Sequence, residues 1–325
     1  MGFRALGAVA CVGLVPEGDG RLGRGVHQAF ILGAGLGTRL RPLTDHVPKP
    51  LVPLFHRPLA WWAFEACGKA GIDRFAVNTH HLPEMWDDFA RLPDIRDRDV
   101  TFFHEPELLE TGGGLKNIAS WIGDDPLLIH NGDVYSTLDL GKLIAAHEAS
   151  GNPVTIAIRS EGEAKHIALD VSGTRVTDIR RKLGKEDGTH VFSGIYCVSP
   201  EFLGMLPPGE KVSVIPAFLE LATAGKLGAL VMDDGVWLDL GDRNSYLAAH
   251  RTLGLGEPIH PDARISPDAT VEDSVVGPGA VVEAGAVVRN SVLWAGSRVS
   301  SGAELDRCIV CSKRSVSGPH RGEDL

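Results

Sequence analysis

From residue 259 the chain repeats itself without a gap. Residues 259–275, 276–292 and 293–309 align column by column as three 17-residue units. Each carries aliphatic residues at its first, seventh, thirteenth and last positions, and small residues such as Ala263, Ala280 and Ser297 at its fifth and again at its eleventh. Two steps of six and one of five describe a triangular coil, with an aliphatic side chain turned inward near each corner. One coil cannot bury its own apolar face, so the units must stack into a parallel β-helix. Three full coils and a partial one from Val310 make a short solenoid over 254–317. Residues 318–325 are expected to fray as a C-terminal tail.

Ahead of the repeats the pattern changes. Residues 29–32 (Ala-Phe-Ile-Leu) form an apolar run of the kind found in buried parallel strands. The run ends in Gly33, Gly35 and Gly37, where the missing Cβ lets backbone N–H groups approach a ligand, and Thr38 is placed to start a helix. A fan of amides beside a helix N-terminus favours anions. Arg39, Arg41 and Lys49 add charge able to meet phosphate oxygens. Helical spacing covers 58–70 and 83–92, strands are expected at 72–79 and 100–104, and a helix reaching about 121 leads to a strand at 126–130. That last strand ends in Asn131-Gly132-Asp133. Strands alternating with helices predict an α/β fold with a parallel sheet covered on both faces. Ligands of such sheets sit beyond the carboxyl ends of strands, so the glycine loop and Asn-Gly-Asp share one crevice. Further strands are expected at 154–158, 167–171, 175–179, 190–198, 228–232 and 236–240, helices at 200–206 and 213–224, and Asp242 reads as the N-cap of a helix to about 253.

A formal net charge of −10 over 325 residues argues against a general nucleic-acid or anionic-membrane binder. Positive charge for a phosphate ligand must therefore be gathered locally. Five cysteines (Cys11, Cys67, Cys197, Cys308, Cys311) are too few and too scattered for a disulfide framework. Cys308 and Cys311 have CxxC spacing but no second pair or nearby His, and read as structural. Residues 5–15 faintly resemble a signal peptide, or a lipobox around Cys11, yet the run is far too short to span a bilayer. We read 1–27 as a flexible extension and 28–253 as the catalytic domain.

GxxxxGK[ST] is absent, GxGxxG fails at Thr38, and no GxSxG nucleophile elbow occurs. What stands at 35–44 is GLGTRLRPLT, followed by Pro48-Lys49-Pro50. This combination resembles the signature of the nucleotide-sugar pyrophosphorylases (sugar-1-phosphate nucleotidyltransferases), G-x-G-T-R-[LM]-x-P-L-T with a downstream P-K-P. Asn131-Gly132-Asp133 resembles that family's metal-binding strand end, and Trp237-Leu-Asp239-Leu-Gly241 its second metal motif. Residues 107–114, ELLETGGG, resemble the segment that lies along nucleobase and ribose. The resemblance implies a Rossmann-like nucleotidyltransferase domain with a mixed, mostly parallel sheet, followed by a short left-handed parallel β-helix that offers a surface for homo-oligomerisation.

The implied reaction is attack of a sugar 1-phosphate oxygen on the α-phosphorus of a nucleoside triphosphate, with pyrophosphate leaving. On the resemblance, Leu32, Gly33, Ala34, Gly35, Gly37 and Thr38 cradle the triphosphate, and Glu107, Thr111, Gly112 and Gly113 flank the nucleoside. Arg39 holds the β- and γ-phosphates, Lys49 sits near the reacting phosphorus, and Asp133 and Asp239 are ligands for Mg²⁺. Lys182 and Gly194 are the sugar-phosphate side. The chain departs from the family at Arg181-Lys182-Leu183, where a Glu-Lys-Pro step is usual, and at His166-Ile167, where Tyr-Gly is usual. Residues 107–113 resemble both the guanylyltransferase pattern E-P-L-G-T-A-G and the muramate uridylyltransferase pattern E-L-L-E-T-A-G-G, and Glu107 or Glu105 could accept from guanine. GTP with mannose 1-phosphate is favoured, with uridylyl or thymidylyl transfer to another sugar 1-phosphate as the alternative, in a cytoplasmic enzyme. A non-catalytic nucleotide-sugar-binding regulator would be free to lose Arg39, Lys49, Asp133 or Asp239, and all are present. An acyltransferase role for the coils lacks a catalytic His, since His260 lies at the first coil's edge. His80 and His81, adjacent in extended chain, point to opposite faces and make a poor ligand pair.

Overall fold

The computed structural model describes residues 25–325. The leader-like stretch and Cys11 lie outside the described residues. Order already holds at Val26, which is buried in the core and donates its N–H to Glu148 Oε1 at 3.0 Å. Residues 25–27 are thus part of the fold, ahead of the boundary expected at 28.

Seven strands form the central sheet: β1 Gln28–Leu32, β2 Arg74–Thr79, β3 Asp99–His104, β4 Leu127–Asn131, β5 Val154–Arg159, β6 Val191–Val198 and β7 Leu227–Val231. Their order is β7-β5-β6-β4-β1-β2-β3. β6 runs antiparallel to both neighbours, β4 and β5, while the other pairings are parallel. The sheet is therefore mixed and mostly parallel. Alternation along each strand divides the core into two layers. Phe30, Leu127, Ile129, Ile156 and Tyr196 face one side, while Ala29, Ile31, Leu128, Ala157 and Ile195 face the other. Helices cover both layers: α1 Leu59–Lys69, α2 Glu110–Asn117, α3 Leu140–Ser150 and α4 Ile215–Thr223, while α5 Arg243–Thr252 packs apart from the sheet, between the loops after β1 and the coils. Among the described residues no helix is long and apolar enough to cross a membrane.

Several expectations change in detail. Thr38 begins only a three-residue 3-10 turn, Thr38–Leu40, so the glycine loop has no helix N-terminus behind it. The strand expected at 236–240 is shorter, Trp237–Asp239, and pairs with Val134–Ser136 outside the central sheet. Residues 112–114, in the segment likened to one lying along nucleobase and ribose, fall inside α2. A Cβ on Gly113 would collide with the Glu210 carbonyl, so the glycines here admit the backbone of 210–213 against the helix.

The repeats stack as parallel ladders offset by 17 residues: Arg264, Val281, Arg298 and Ser315 in one ladder, Val275, Val292 and Ile309 in another. Val282, Val288, Val299 and Leu305 fill the axis with the small Ala280, Ala286 and Ala303. The seventeenth column does not turn inward as expected. Val292 and Ile309 pack with Leu40, Leu43, Tyr246 and Leu247, and Val275 packs with Leu54, Phe55 and Ala249. Neighbouring first-column residues Val276, Leu293 and Val310 point to the axis instead, since adjacent strand residues face opposite ways. The coils thus share a core with the α/β domain. The tail does not fray either. Pro319–Arg321 pairs with Glu304–Asp306, and Asp324 binds the Arg243 Nε at 2.7 Å.

Candidate active site

β1 and β4 lie side by side, and both release the chain at the same edge of the sheet. Beyond them opens a cavity of about 410 Å³. From the loop after β1 it takes Leu32, Ala34, Gly35, Gly37, Thr38 and Arg39; from the loop after β4, Asn131 and Asp133; from the start of α2, Glu110 and Thr111. Gly37 holds φ +62°, a left-handed conformation suited to glycine, and a Cβ there would stand 2.8 Å from the Lys49 Cβ. The loop can therefore close over the Lys49 stem.

Lys49 stands between two prolines in the 3-10 turn Lys49–Leu51 and is only 5% exposed. Its Nζ donates to Asp133 Oδ2 at 2.6 Å and lies 3.7 Å from Asp239 Oδ1. On the other carboxylate oxygen of Asp239, Arg39 approaches at 3.8 Å. Two carboxylates, a lysine and an arginine from four separated stretches thus meet at one end of the cavity. Asp239 is held there because the strand Trp237–Asp239 runs straight into the cap of α5. The Asp242 carboxylate accepts from the Asn244 and Ser245 N–H groups at 2.8 and 3.0 Å. Those bonds, the Ser245 N–H foremost, hold its pKa below the usual carboxylate range. Between the two, Gly241 leaves room for the Arg39 guanidinium, 2.7 Å from where a Cβ would sit.

Other expected residues serve the frame. The Gly33 N–H is taken by Asn78 Oδ1 at 2.8 Å, and a Cβ there would strike Trp86. Gly112 and Gly113 both donate to the Val212 carbonyl, at 2.8 and 2.9 Å, so neither amide is offered to a ligand. Glu105 is 1% exposed and bonds Asn78 Nδ2 and the Leu109 N–H, which removes it as a base reader. Glu107 is exposed and is not part of the cavity wall. Lys182 is likewise exposed, in the turn after Val176–Ile179, away from the wall. Gly194 abuts Asn131, whose Nδ2 would lie 2.5 Å from a Cβ. His80 and His81 bind backbone carbonyls of Glu105 and Thr44 at 2.7 and 2.8 Å, not each other's neighbours.

Sequence reading missed Asn78, Glu110 and Ser213 in the wall. Ser213 carried no signal, since only the triple glycine brings 210–213 close. Glu110 has φ +60°, a backbone state unusual for a residue with a side chain.

The sequence profile described as "Nucleotidyl transferase" matches residues 28–254, and one described as "GlmU-like, C-terminal hexapeptide" matches 259–321. The chain is similar to the mannose-1-phosphate guanylyltransferase of Mycobacterium tuberculosis, with 26% identity over 303 residues, 86% of this chain and 84% of that protein. It is similar also to the N-acetylmuramate alpha-1-phosphate uridylyltransferase of Caulobacter vibrioides, 29% identical over 234 residues, covering 69% of this chain and 96% of that one. Among solved structures, HddC from Yersinia pseudotuberculosis complexed with GMP-PN superposes with a TM-score of 0.58 at 25% identity, over 69% of this chain and 98% of that chain.

Proposed function

The chain belongs to the nucleotidyl transferase family, and from that premise we propose that it joins a nucleoside triphosphate to a sugar 1-phosphate, releasing pyrophosphate. The observation that carries this is the meeting of Lys49, Arg39, Asp133 and Asp239 at the phosphate end of the cavity. A sugar 1-phosphate oxygen attacks the α-phosphorus, and the bond to the β-phosphate bridging oxygen breaks in line. The nucleophile is already an anion, so the task is positioning and neutralisation rather than proton transfer. Lys49, nearly buried and fixed by its flanking prolines, stabilises charge on the reacting phosphoryl group. Arg39, the more exposed of the two cations, follows the leaving pyrophosphate.

Asp133 and Asp239 fit Mg²⁺, which takes one or two carboxylates and completes its shell with phosphate oxygens and water. Both are oxygen donors facing the same ammonium, 2.6 and 3.7 Å from it. When bound there, the ion supplies charge to draw the two polyanions together.

GTP and mannose 1-phosphate are the favoured pair, supported by the names of similar proteins and by the GMP-PN complex of a structural neighbour. One observation favours a second pair. Glu110 occupies the position that is glycine in E-P-L-G-T-A-G and glutamate in the uridylyltransferase pattern, and it lines the cavity at φ +60°. Incubation with Mg²⁺ and a panel of nucleoside triphosphates and sugar 1-phosphates decides between them by pyrophosphate release. Asp133→Ala and Asp239→Ala are each expected to abolish release in the best pair while keeping a cooperative melt. Full activity in both variants sinks the metal assignment.

A further inference from the structure

Four arginines from distant parts of the chain converge on a second cleft, of about 620 Å³, where α5 meets the coils. Arg243 and Arg251 come from α5, Arg307 from a coil corner and Arg321 from the last strand. In a chain of net charge −10, so many cations on one concave wall oppose the overall balance. Two carboxylates answer them. Asp324 takes Arg243 at 2.7 Å, and Asp306 is shared by the Nε atoms of Arg307 and Arg321 at 3.4 and 3.2 Å. Two positive charges remain without a counterion. Arg251 forms no ion pair or hydrogen bond among the described residues, and the terminal nitrogens of Arg307 and Arg321 donate none.

Backbone geometry adds a second observation. Arg307 stands 17 residues after Asn290 in one corner column, and both hold left-handed φ, +54° and +48°. Asparagine tolerates that state; arginine is rare in it and strained by it. Asp273, 17 residues before Asn290, shares the state at +46°, so it belongs to the coil corner; Asn290 and Arg307 both line the cleft. Guanidinium groups match phosphate oxygens in paired hydrogen bonds.

We propose that this cleft binds a phosphomonoester dianion, as an effector of the transfer reaction. The volume suits a sugar phosphate as well as phosphate itself. The path to the active site is short. Arg243 follows the Asp242 cap, four residues after Asp239, and it donates to the carbonyls of Arg307 and Glu323. An anion among these arginines therefore acts on the segment that sets Asp239. The effector role rests on the transferase reading; the binding does not.

The test uses the full chain and two probes, inorganic phosphate and glucose 6-phosphate, with thermal melting as the binding readout and no nucleotide present. Both probes are expected to raise Tm saturably in the wild type and in Arg39→Ala, where the active-site contribution is weakened. In the exposed double variant Arg251→Ala/Arg321→Ala, loss of charge-assisted bonds should weaken binding by about tenfold or more. Its basal pyrophosphate release should match wild type, while the probes change the wild-type rate about twofold or more. Response to glucose 6-phosphate above that to phosphate identifies a sugar phosphate; equal response identifies phosphate alone. The proposal is overturned by an equal shift in wild type and double variant, or by no saturable shift in either. A chain that releases no pyrophosphate, yet shows the shift and loses it in the double variant, refutes the transferase reading and keeps the site.

Discussion

Glu110 adopts a backbone state that glycine reaches without strain, so its side chain must be retained for something other than the fold. Glu110→Gly removes about 1 kcal/mol of local strain, which in a chain of this size corresponds to a Tm rise of about 1–2 °C. If the cavity takes the nucleoside as proposed, the same variant should raise KM for the nucleoside triphosphate by about tenfold, because a wall carboxylate in contact with it would contribute binding present in ground and transition state alike. Melting and steady-state kinetics on one preparation check both halves. A higher Tm with unchanged KM would make Glu110 a passive occupant. Lys49 poses the opposite case: strain is absent and charge is everything. Lys49→Met keeps the buried stem but leaves Asp133 and Asp239 without their shared cation, and kcat/KM should fall by about 100-fold or more.

At the level of elements, α5 is both a brace for Asp239 and a dock for the coils. Its capping box, built on Asp242, should contribute about 1 kcal/mol, so Asp242→Ala is expected to lower Tm by about 1–2 °C and to disturb the neighbouring Arg39–Asp239 contact. Trp294 fixes the other side, its indole N–H donating to the Tyr246 hydroxyl at 3.0 Å, which in turn donates to the Pro53 carbonyl at 2.6 Å. Trp294→Ala should cost about 3–5 kcal/mol, read from denaturant unfolding, whereas Trp294→Phe, which keeps most of the packing and loses the hydrogen bond, should cost about 1–2 kcal/mol. These docking contacts show where sequence reading stops. The 17-residue period was plain in the columns of 259–309, because every coil must place like residues at like corners. The direction of the last column was not, because Val275, Val292 and Ile309 are as aliphatic as their inward neighbours, and only the partner surface decides which way they face. The convergence of Arg39, Lys49, Asp133 and Asp239 was legible for the same reason as the period: glycines, prolines and charges there leave few alternatives. The wall formed by α2 was not, since Gly112 and Gly113 looked like ligand contacts and instead make room for the chain at 210–213.

Across the whole molecule, burial holds histidines neutral in the central sheet and where α5 meets the coils, and this shapes the response to acid. His130 lies in the central sheet with its Nε2 buried and unpartnered, and burial lowers its pKa to about 4. His250 sits in α5 beneath the coils, stacked on Phe55 at 5.5 Å, and burial lowers its pKa to about 4 as well. Its Nε2 accepts the Phe55 N–H at 3.1 Å and its Nδ1–H donates to the Tyr246 carbonyl at 2.9 Å, so protonation would turn an accepting nitrogen into a second donor facing a donor. The unfolded chain takes up both protons near pH 6.5, whereas the folded chain resists until about pH 4. Between those values the unfolded state binds more protons, so stability rises with pH there and is lost as pH falls. Each histidine contributes a slope of up to about 1.4 kcal/mol per pH unit. Over that window the two together withdraw up to about 7 kcal/mol, comparable to the low end of the about 5–15 kcal/mol that holds a domain. Denaturant unfolding from pH 7.5 to 5 should show the midpoint falling below pH 6.5, and His250→Gln, which cannot titrate, should flatten part of that fall, the rest coming from His130 and from His56, His147 and His166, which burial also holds low. A midpoint independent of pH across this window would mean that neither histidine is held neutral by the fold.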